Sequence, residues 1–401
     1  MSFTSGQLAT FVNGELHGMG DVACSGVAID TRETLEGKVF FALQGEHADG
    51  HDYVEEAVTN GCSAVVVERA CAAGVPEIVV EDARSALFQL AKTRREVMEF
   101  GSVIAVTGSV GKTTTKDILG SLLGDNVVVS RKSFNNDLGV PLTVLEGELA
   151  NFLVAEIGAN DVGEIEPLAK LVRPDIAILT SIEKAHLEGF GDQTVVLEEK
   201  VKLLQEVHSS GYVVIPDTIE VSMFHIAATV VRVGKTSSAD VLIETGIDEH
   251  GFATLLLQGE RVTLSLLGEH NAFNAALAIV AAQFARTDIS LSDLLRFACD
   301  AVAPEGRLRK VTVGDITFLD DSYNANPASM RSALQLFSRL PANRKVMVLG
   351  DMLELGASSH VEHRLLASVI DKVGADVVVL VGDAMEQAIG SSAAIHVQHT
   401  D

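Results

Sequence analysis

The stretch Val103-Ile-Ala-Val-Thr-Gly-Ser-Val-Gly-Lys-Thr-Thr-Thr115 decides the fold class of this chain. An apolar segment typical of a buried strand runs into a glycine loop, and Lys112 and Thr113 stand where a helix begins. Gly108 and Gly111 allow the loop to turn its backbone N–H groups toward an anion. Lys112 supplies a positive charge for the terminal phosphates, and the Thr113 hydroxyl can ligate Mg²⁺. The stretch therefore predicts a strand, P-loop and helix that bind a nucleoside triphosphate.

The loop has the short G-x-x-G-K-T form, because Val106 stands where the longer form of the pattern has glycine. Within this loop, Lys112 is the candidate catalytic residue, because its charge can follow the transferred phosphate. Nucleotide binding is assigned to Gly108, Ser109, Val110, Gly111, Lys112, Thr113 and Thr114.

Composition excludes several classes of protein. The chain has 401 residues, of which 47% are hydrophobic, and this is enough for two or three domains with buried cores. A formal charge of −25 argues against nucleic acid or an anionic membrane as partner. No apolar run has the length of a membrane span and the first residues do not resemble a signal peptide, so we expect no membrane span and a cytoplasmic location. The scattered cysteines predict reduced thiols, not disulfides or a zinc site.

Three zones differ in the spacing of their apolar segments and predict an α/β protein of three domains. Residues 1–99 alternate short strands with helices and end in a helix over about 85–100. Residues 100–303 indicate a buried parallel sheet, a β-rich insert at about 229–267 and a helix from near His270. Residues 304–401 contain strands that polar residues follow, which is where open α/β sheets bind ligands. The main predicted strands span 26–30, 39–43, 64–67, 103–107, 152–157, 176–180, 212–215, 316–319, 345–349 and 377–381.

Glu156 and His186 are candidate metal ligands. Glu156 ends the next apolar strand after the P-loop, where a carboxylate can join Thr113 on a metal held by nucleotide phosphates. A lone carboxylate at a strand end is otherwise an ordinary solvated residue, so its place after the P-loop favours the metal role. A single histidine is more often structural than a ligand, and His186 alone leaves both interpretations open.

Two segments carry candidate ligand-binding side chains. Asn271 and Asn274 lie at the start of a helix and can face a base or ribose, although helix capping by Asn271 is the plain alternative. Residues 320–330 place two acids, Tyr323 and two asparagines just after a strand. Such residues also favour turns, but this density of hydrogen-bonding groups at a strand's carboxyl end indicates a binding site. Arg307 follows a Pro-Glu-Gly turn and by itself indicates little.

Seven motifs together make the chain resemble the Mur ligases. They are TGSVGKTT at 107–114, NNDLGVPL at 135–142, EIG at 156–158, HLEGFG at 186–191, GEHNAFN at 268–274, PEGR at 304–307 and DDSYNANP at 320–327. DDSYNANP and HLEGFG discriminate most, whereas the P-loop alone would indicate only the superfamily. Within the family, the resemblance is to the enzymes that join D-alanyl-D-alanine to a UDP-muramoyl tripeptide. The segments DTR at 30–32 and DGHDY at 49–53 resemble the family's UDP-substrate domain, so the resemblance covers nearly the whole chain.

The resemblance implies a domain plan and a reaction. A UDP-substrate-binding domain would occupy 1–99, a central ATP-binding P-loop domain 100–303, and a C-terminal Rossmann-like ligase domain 304–401. ATP would phosphorylate the C-terminal carboxylate of UDP-N-acetylmuramoyl-tripeptide to an acyl phosphate. The amino group of D-alanyl-D-alanine would then displace phosphate, in cytoplasmic peptidoglycan precursor synthesis. We expect a monomer.

The resemblance also implies the site residues. One Mg²⁺ would bind Thr113 and Glu156, and a second would bind His186 and Lys200, with Lys200 carbamylated by CO₂. Lys112, His186 and Lys200 are the implied catalytic set. The base and ribose of ATP would be held by Asn271, Asn274, Arg307 and Asp321. The other substrates would be bound by Asp30, Thr31, Arg32, Asp49, Gly50, His51, Asn135, Asn136, Tyr323, Asn324 and Asn326.

Two features depart from the family pattern. Such ligases usually continue for some tens of residues through another helix and strand, so we expect an incomplete C-terminal domain in a chain that stops at Asp401. The family has an acid two positions after the carbamylated lysine, where this chain has Lys202. A second cation there would favour the neutral amine of Lys200 and then stabilise the carbamate.

Two other functions stay open. A folylpolyglutamate-type ligase shares the acyl-phosphate scheme, but it would not explain the N-terminal segments at 30–32 and 49–51. A P-loop switch protein that regulates partners would need only the loop, and it would leave His186, Lys200 and residues 320–327 without a role. Phosphate release that depends on both a UDP-peptide and a dipeptide would separate the three functions.

Overall fold

A computed structural model describes residues 2–45, 48–183, 190, 192–390 and 394–398. The chain forms two compact units: the first comprises 1–103, 126–155 and 170–172, and the second comprises 104–125, 156–169 and 173–401. Both contain helices and parallel strands, so the predicted α/β class is confirmed. Among the described residues, no helix has the length and apolar character that crossing a bilayer requires.

The described strands, in chain order, are β1 Phe3–Thr4, β2 Glu15–His17, β3 Ala23–Cys24, β4 Val27–Ala28, β5 Val39–Phe41, β6 Ala64–Val67, β7 Glu77–Val79, β8 Ser102–Thr107, β9 Val127–Val129, β10 Phe152–Glu156, β11 Ile176–Leu179, β12 Tyr212–Pro216, β13 Thr229–Gly234, β14 Val241–Ile247, β15 Phe252–Leu257, β16 Glu260–Leu267, β17 Arg309–Val313, β18 Ile316–Asp320, β19 Val346–Gly350, β20 Val377–Val381 and β21 Ala394–Val397.

The described α-helices are α1 Ser5–Val12, α2 Val54–Thr59, α3 Ala83–Arg95, α4 Lys112–Leu123, α5 Gly139–Glu146, α6 Ile165–Val172, α7 Gln193–Gln205, α8 Glu269–Ala285, α9 Leu291–Cys299, α10 Pro327–Arg339 and α11 Ser359–Val373. Short 3₁₀ helices span Gly50–Tyr53, Gly147–Leu149, Gly356–Ser358 and Ala384–Ala388.

The first unit is built on a five-stranded sheet in the order β2-β7-β6-β5-β4. β4 to β7 are parallel and β2 is an antiparallel edge. The valines of β6 and the phenylalanines of β5 are buried, as expected for strands covered on both faces. The same unit contains the parallel pair β9 and β10 and the antiparallel pair β1 and β3.

The helix predicted over about 85–100 is shorter and begins earlier. α3 starts at Ala83, because the Asp82 carboxylate accepts a hydrogen bond from Ser85 N at 2.6 Å and caps the helix. It ends at Arg95, with Lys92, Arg94 and Arg95 in its last turn, where cations are favourable. The segment to residue 100 is therefore not helical.

In the second unit, β8 lies beside β11, and the sheet continues through β12, β13, β14, β15 and β16. β8, β11, β12, β13 and β14 are parallel to one another, and β14, β15 and β16 are antiparallel. β8 is buried at all six residues, which confirms the predicted buried parallel strand. The predicted β-rich insert is not separate, because its strands extend this sheet.

The last part of the second unit has its own small core. β17 and β18 form an antiparallel hairpin, and β19, β20 and β21 form a parallel sheet in that order. Met330 and Leu334 of α10, Leu366 of α11 and Leu380 of β20 pack in one apolar cluster. The carboxyl end of β18 leads into the loop before α10, and that of β19 leads into the loop before α11.

Candidate active site

Hydrogen bonds fasten the P-loop to the residues that follow β11. Ser109 N donates to Ser181 O at 2.9 Å, and Val110 N donates to Ser181 Oγ at 3.0 Å. Thr180 Oγ1 donates to Val110 O at 2.5 Å, and Glu183 N donates to Ser109 Oγ at 3.0 Å. We name residues 180–183 the P-loop clasp. The clasp leaves the N–H groups at the start of α4, which have no partner one turn earlier in the helix, to receive an anion.

The two loop glycines are required for two reasons: other side chains lie very close to their Cα atoms, and their backbone conformations favour glycine. Gly108 has φ +148°, and a side chain there would collide with Thr180 Oγ1. Gly111 has φ +85°, and an added Cβ would lie 2.5 Å from Asn274 Oδ1. The P-loop therefore packs against the clasp on one side and α8 on the other, with glycine as the only residue that fits.

Lys112 lies inside this loop, where burial disfavours its positive charge. Its Nζ donates to Gly108 O at 2.7 Å. Burial lowers the pKa of Lys112, and the positive charge of Arg307 acts in the same direction, whereas the carboxylates of Glu156 and Glu354 oppose the change. A lysine in these surroundings gains most from an incoming anion such as a phosphate.

Thr113 and Glu156 fit a metal that is bound together with phosphate. Thr113 is 3% exposed and Glu156 is 1% exposed. Thr113 Oγ1 is buried and makes no hydrogen bond with the described residues, which is unusual for a hydroxyl. No group of three histidine, cysteine or acidic side chains that could hold a metal exists within the described ranges. A hydroxyl and one carboxylate suit Mg²⁺, which keeps several ligands from water and phosphate.

Lys200, on α7, is 1% exposed. Its pKa is lowered to about 7, mainly by burial and also by the positive charge of Lys112, whereas the carboxylate of Glu199 opposes both effects. The ring of Phe190 lies 5.9 Å from its Nζ. A large fraction of this lysine is therefore a neutral amine near neutral pH.

The prediction that Lys202 supplies the cation beside Lys200 is wrong, because that cation is Lys112. Lys202 Nζ instead lies 2.5 Å from Glu199 Oε2. Glu199 is 1% exposed and also accepts from Ile165 N at 2.9 Å, so it holds α6 and α7 together. Side chains at positions 199 and 202 of a helix share a face, whereas residue 200 points elsewhere.

His186 lies outside the described residues, so its predicted metal and catalytic roles stay predictions. The described clasp ends at Glu183, three residues before it.

Asn271 and Asn274 are buried at the start of α8, at 3% and 8% exposure. Asn271 Nδ2 donates to Leu267 O at 2.8 Å, and Asn274 Nδ2 donates to Asn271 Oδ1 at 3.0 Å. The plain alternative of capping by Asn271 is not what is seen, since α8 has no side-chain cap and Gly268 is its N-cap residue. The hydrogen bond between the two asparagines instead holds the Asn274 side chain next to Gly111 of the P-loop.

Arg307, Asp321 and Tyr323 form a second polar group. The Arg307 guanidinium lies 4.3 Å from the centre of the Tyr323 ring. Asp321 Oδ1 accepts from Leu308 N at 2.9 Å. Burial raises the pKa of Asp321 to about 6, although the Leu308 N–H and the charge of Arg307 oppose this. Asp321 is therefore close to half protonated at pH 6.

The asparagines of DDSYNANP differ in exposure. Asn324 is exposed. Asn326 caps α10: its Oδ1 accepts from Ala328 N at 3.1 Å and Ser329 N at 2.9 Å. The turn interpretation thus holds for Asn326, whose side chain is used in folding.

The predicted substrate residues of the first unit form hydrogen bonds and ion pairs with one another or with neighbouring residues. Asp30 and Arg32 form an ion pair at 2.6 Å, and this holds the pKa of Asp30 at about 2. Thr31 is buried, and its carbonyl accepts from Asn60. In another loop, Asp49 accepts from Arg69 Nη2 at 2.7 Å and pairs with His51 Nδ1 at 2.7 Å.

Three more of these residues have structural partners. His51 Nε2 accepts from Glu68 N at 2.9 Å, so the ring is held at both nitrogens. A side chain at Gly50 would lie 2.5 Å from Leu43 N. Asn136 Oδ1 accepts from Gly139 N at 3.0 Å at the start of α5, and Asn135 N donates to Ser133 O at 2.8 Å.

The second unit therefore brings together the P-loop, Glu156, Lys200, Asn274 and Arg307, whereas the residues at 30–32, 49–51 and 135–136 lie in the first unit. Sequence reasoning missed Ser181, Glu199 and Glu354. Each is an ordinary polar residue that meets a group distant in sequence, namely Val110 N for Ser181, Ile165 N for Glu199 and the charge of Lys112 for Glu354, so only the fold shows its role. A weak signal for Ser181 existed, because Thr180 and Ser181 directly follow an apolar strand beside the P-loop strand.

Comparison with protein families matches three models along the chain. The Mur ligase family catalytic domain matches residues 24–95, the Mur ligase middle domain matches 106–282, and the Mur ligase glutamate ligase domain matches 306–400. A UDP-N-acetylmuramoyl-tripeptide--D-alanyl-D-alanine ligase of Haemophilus influenzae is 35% identical over 98% of this chain and 88% of its own length. The chain belongs to the Mur ligase family. Like other Mur ligases, it is an ATP-dependent amide ligase.

Solved Mur ligase structures share this architecture. A MurF crystal structure from Acinetobacter baumannii has a TM-score of 0.88 and 34% identity, over 99% of this chain and 90% of its own. A MurF ligase from Thermotoga maritima in complex with ADP has a TM-score of 0.78 and 26% identity, over 94% of this chain and 88% of its own. The family membership inferred from the seven motifs is thus confirmed.

Proposed function

We propose that this Mur ligase joins D-alanyl-D-alanine to the C-terminal carboxylate of UDP-N-acetylmuramoyl-tripeptide, in cytoplasmic peptidoglycan precursor synthesis. The observation that carries the proposal is the buried P-loop site with Lys112, Glu156 and a Thr113 hydroxyl that makes no hydrogen bond with the described residues. The relatives of this chain are named UDP-N-acetylmuramoyl-tripeptide--D-alanyl-D-alanine ligases. A switch protein would need only the loop.

The reaction has two displacements. A tripeptide carboxylate oxygen attacks the γ-phosphorus of ATP, and ADP leaves, which gives an acyl phosphate. The dipeptide amine then attacks the acyl carbon, phosphate leaves, and the nitrogen loses a proton to give the amide. Both steps bring anions together, so Lys112 and the N–H groups at the start of α4 act by stabilising negative charge.

Thr113 and Glu156 would hold one Mg²⁺ on the nucleotide phosphates, and a second would bind His186 and a carbamylated Lys200. Mg²⁺ supplies charge that offsets the repulsion between carboxylate and triphosphate. Support for Lys200 comes from its burial and its pKa near 7, because only the neutral amine adds CO₂. A carbamate on Lys200 would replace a cation with an oxygen ligand of the kind that Mg²⁺ prefers.

Arg307 and Asp321 would contact the base and ribose of ATP, with Asn271 and Asn274 behind the loop. The domains would be 1–99 for the UDP substrate, 100–303 for ATP and 304–401 for ligation, and the matched family models fall within these bounds. The UDP portion would be bound by Asp30, Thr31, Arg32, Asp49, Gly50 and His51. The peptide part would be contacted by Asn135, Asn136, Tyr323, Asn324 and Asn326. The enzyme would act as a monomer.

The test is the substrate dependence of ADP and phosphate formation. We expect turnover only when ATP, Mg²⁺, the UDP-muramoyl tripeptide and D-alanyl-D-alanine are all present. Full-rate ADP formation without the dipeptide would exclude the ligation. Turnover with a folate and glutamate, but not with these substrates, would support the folylpolyglutamate-type alternative.

A further inference from the structure

A tight turn at residues 131–134 follows β9, and its neighbours hold it in place. Phe134 N donates to Arg131 O at 2.9 Å and closes the turn. Ser130, just before the turn, is 1% exposed. Gly139 approaches the end of the turn so closely that an added Cβ would lie 2.5 Å from the backbone of Phe134. The backbone of the turn is therefore fixed at both ends.

Ion pairs join this turn to the loop at 30–33, which carries proposed substrate residues. Arg131 Nη1 lies 3.6 Å from Glu33 Oε2, and Arg131 Nη2 lies 3.0 Å from Glu146 Oε1. All of these residues belong to the first unit. The proposed substrate residues at 135–136 directly follow the turn. The turn thus lies between two segments that are assigned to the same substrate.

Lys132 is exposed in this turn and has φ +45°, a left-handed conformation that residues other than glycine rarely adopt. Asparagine and aspartate tolerate this conformation because their short polar side chains bond locally, but lysine has no such group. The strain persists because the turn imposes it, and such strain is concentrated at functional sites. Glycine would serve the turn better, so the turn by itself does not explain a lysine at position 132.

The charge of Lys132 is not neutralised within this region. Lys132 forms no ion pair with any residue that the structure describes. The other cations of the region each have an acidic partner: Arg32 pairs with Asp30, Lys38 with Glu33, Arg84 with Asp137, and Arg131 with Glu33 and Glu146. The positive charge that this surface offers to a ligand is therefore that of Lys132.

The proposed UDP-substrate needs such a charge. A UDP-muramoyl tripeptide carries a diphosphate and free carboxylates, whereas the chain has a formal charge of −25. An acidic protein repels an anionic ligand at long range, so its capture depends on local positive charge. A lysine ammonium is a compact charge on a flexible stem, and it binds phosphate and carboxylate oxygens alike.

We propose that Lys132 binds an oxyanion of the UDP-muramoyl tripeptide, between the loop at 30–33 and residues 135–136. This inference rests on the proposed function. The oxyanion belongs to the diphosphate or to a peptide carboxylate, and two ligands distinguish these sources. The left-handed turn presents the long side chain to the substrate, and the absence of an acidic partner keeps its charge available.

Two variants of Lys132 test the contact. Lys132→Gly removes the charge and relieves the left-handed strain, whereas Lys132→Arg keeps the charge. Gln258→Gly is the control for strain, because Gln258 is exposed with φ +50° in the second unit. Lys92→Ala is the control for charge, because Lys92 is an exposed lysine of α3 in the first unit.

Calorimetry gives the dissociation constants of two ligands. The UDP-muramoyl tripeptide has both kinds of oxyanion, and UDP-N-acetylmuramic acid has the diphosphate without the peptide carboxylates. In Lys132→Gly we expect the dissociation constant of the tripeptide ligand to rise about tenfold, as for loss of a hydrogen bond to a charged group. An equal rise for UDP-N-acetylmuramic acid would assign the contact to the diphosphate, and no rise would assign it to a peptide carboxylate.

The variants should separate binding from folding. Glycine adopts the left-handed conformation without strain, so Lys132→Gly and Gln258→Gly should melt no lower than the parent. Lys132→Arg should retain most of the affinity. Both controls should bind the UDP-muramoyl tripeptide as the parent does, and KM for ATP should be unchanged in all four variants.

An unchanged dissociation constant of the UDP-muramoyl tripeptide in Lys132→Gly would overturn the inference. An equal loss of affinity in Lys92→Ala would also overturn it, because the effect would then be that of net charge and not of a contact. Failure of the proposed function looks different: the parent enzyme itself would then form no amide from the UDP-tripeptide, ATP and D-alanyl-D-alanine.

Discussion

Lys200 and Arg32 are both assigned to binding, but they lie in opposite electrostatic surroundings. Lys200 is 1% exposed, and its pKa is lowered to about 7 by burial and by the positive charge of Lys112. The Arg32 side chain is 87% exposed and paired with Asp30 at 2.6 Å, which raises its pKa. Burying a cation without an equal anion is unfavourable, whereas an exposed pair costs little and contributes little.

The difference extends to the regions around them. In the second unit, burial disfavours the charge of Lys112, and the Thr113 hydroxyl makes no hydrogen bond with the described residues; we propose that a triphosphate and a metal supply the missing contacts. In the first unit, Asp30, Asp49 and His51 already satisfy one another or nearby residues. A binding site that contains buried, unfavourably placed polar groups can therefore be recognised in a structure without its ligand. A site made of surface charges that already pair with one another cannot be recognised in this way.

The largest effect should come from Lys112→Ala. We expect kcat for ADP formation with all substrates present to fall about a hundredfold or more, because the charge on the transferred phosphate is lost. Lys372→Ala, an exposed lysine at the end of α11, is the matched control and should keep full activity. A loss of only a few-fold would contradict the contrast between the two regions.

Lys200→Ala should lower activity about tenfold to a hundredfold, as for a disturbed metal site. A short carboxylic acid should restore part of it by supplying oxygen ligands, and removal of CO₂ should lower the activity of the parent. Lys202→Ala should instead lower the melting temperature, because it removes the partner of buried Glu199. Full activity in Lys200→Ala without response to CO₂ would leave Lys200 a packing residue.

Ser181→Ala should weaken ATP use while sparing the UDP-substrate. The hydroxyl accepts from Val110 N, and one such bond is worth about 1 kcal/mol, or roughly a fivefold rise in KM for ATP. Ser210→Ala, which removes a hydroxyl bonded to His208, should leave both KM values unchanged. Equal rises in both KM values would indicate general loosening of the fold.

Asp321→Asn should show a pH-dependent gain in stability. The pKa of Asp321 is raised to about 6 in the folded chain, so between about pH 4 and 6 the folded state holds a proton that the unfolded state has lost. Ionisation on raising the pH therefore destabilises the parent, and the Asn variant avoids this.

We expect a gain on the order of 1 kcal/mol at pH 7 and none below pH 4, measured by denaturant unfolding, after allowance for partial exposure. Asp320→Asn is the control of opposite sign. The pKa of Asp320 is lowered by its hydrogen bonds to Ser322, so that variant should lose stability above about pH 4. The same sign for both variants would contradict the assignment.

The smallest effect on stability should come from Arg32→Ala, since exposed ion pairs contribute little. We expect an unchanged melting temperature and a raised KM for the UDP-substrate alone. An unchanged KM would remove Arg32 from the site and leave the Asp30 pair as surface structure.

The sequence alone was sufficient for most features that depend on a short-range pattern. The buried strand at 103–107, the glycines of the loop and the order of seven motifs identify an α/β Mur ligase, because backbone turns and strand burial depend on neighbouring residues. It also marked Thr113, Glu156 and Lys200, which the fold buries together in one unit. The end of α3 was missed by several residues, because a cap and a last turn decide where a helix stops.

Only the tertiary structure decided which charges meet. It paired Lys202 with Glu199 and gave Lys112 the role of cation beside Lys200. It joined Ser181 to the P-loop across 71 positions of sequence and brought the charge of Glu354 within range of Lys112. Such contacts join residues far apart in the chain, and a pKa depends on burial and on the distance between charges. Both quantities exist only once the strands and helices have packed.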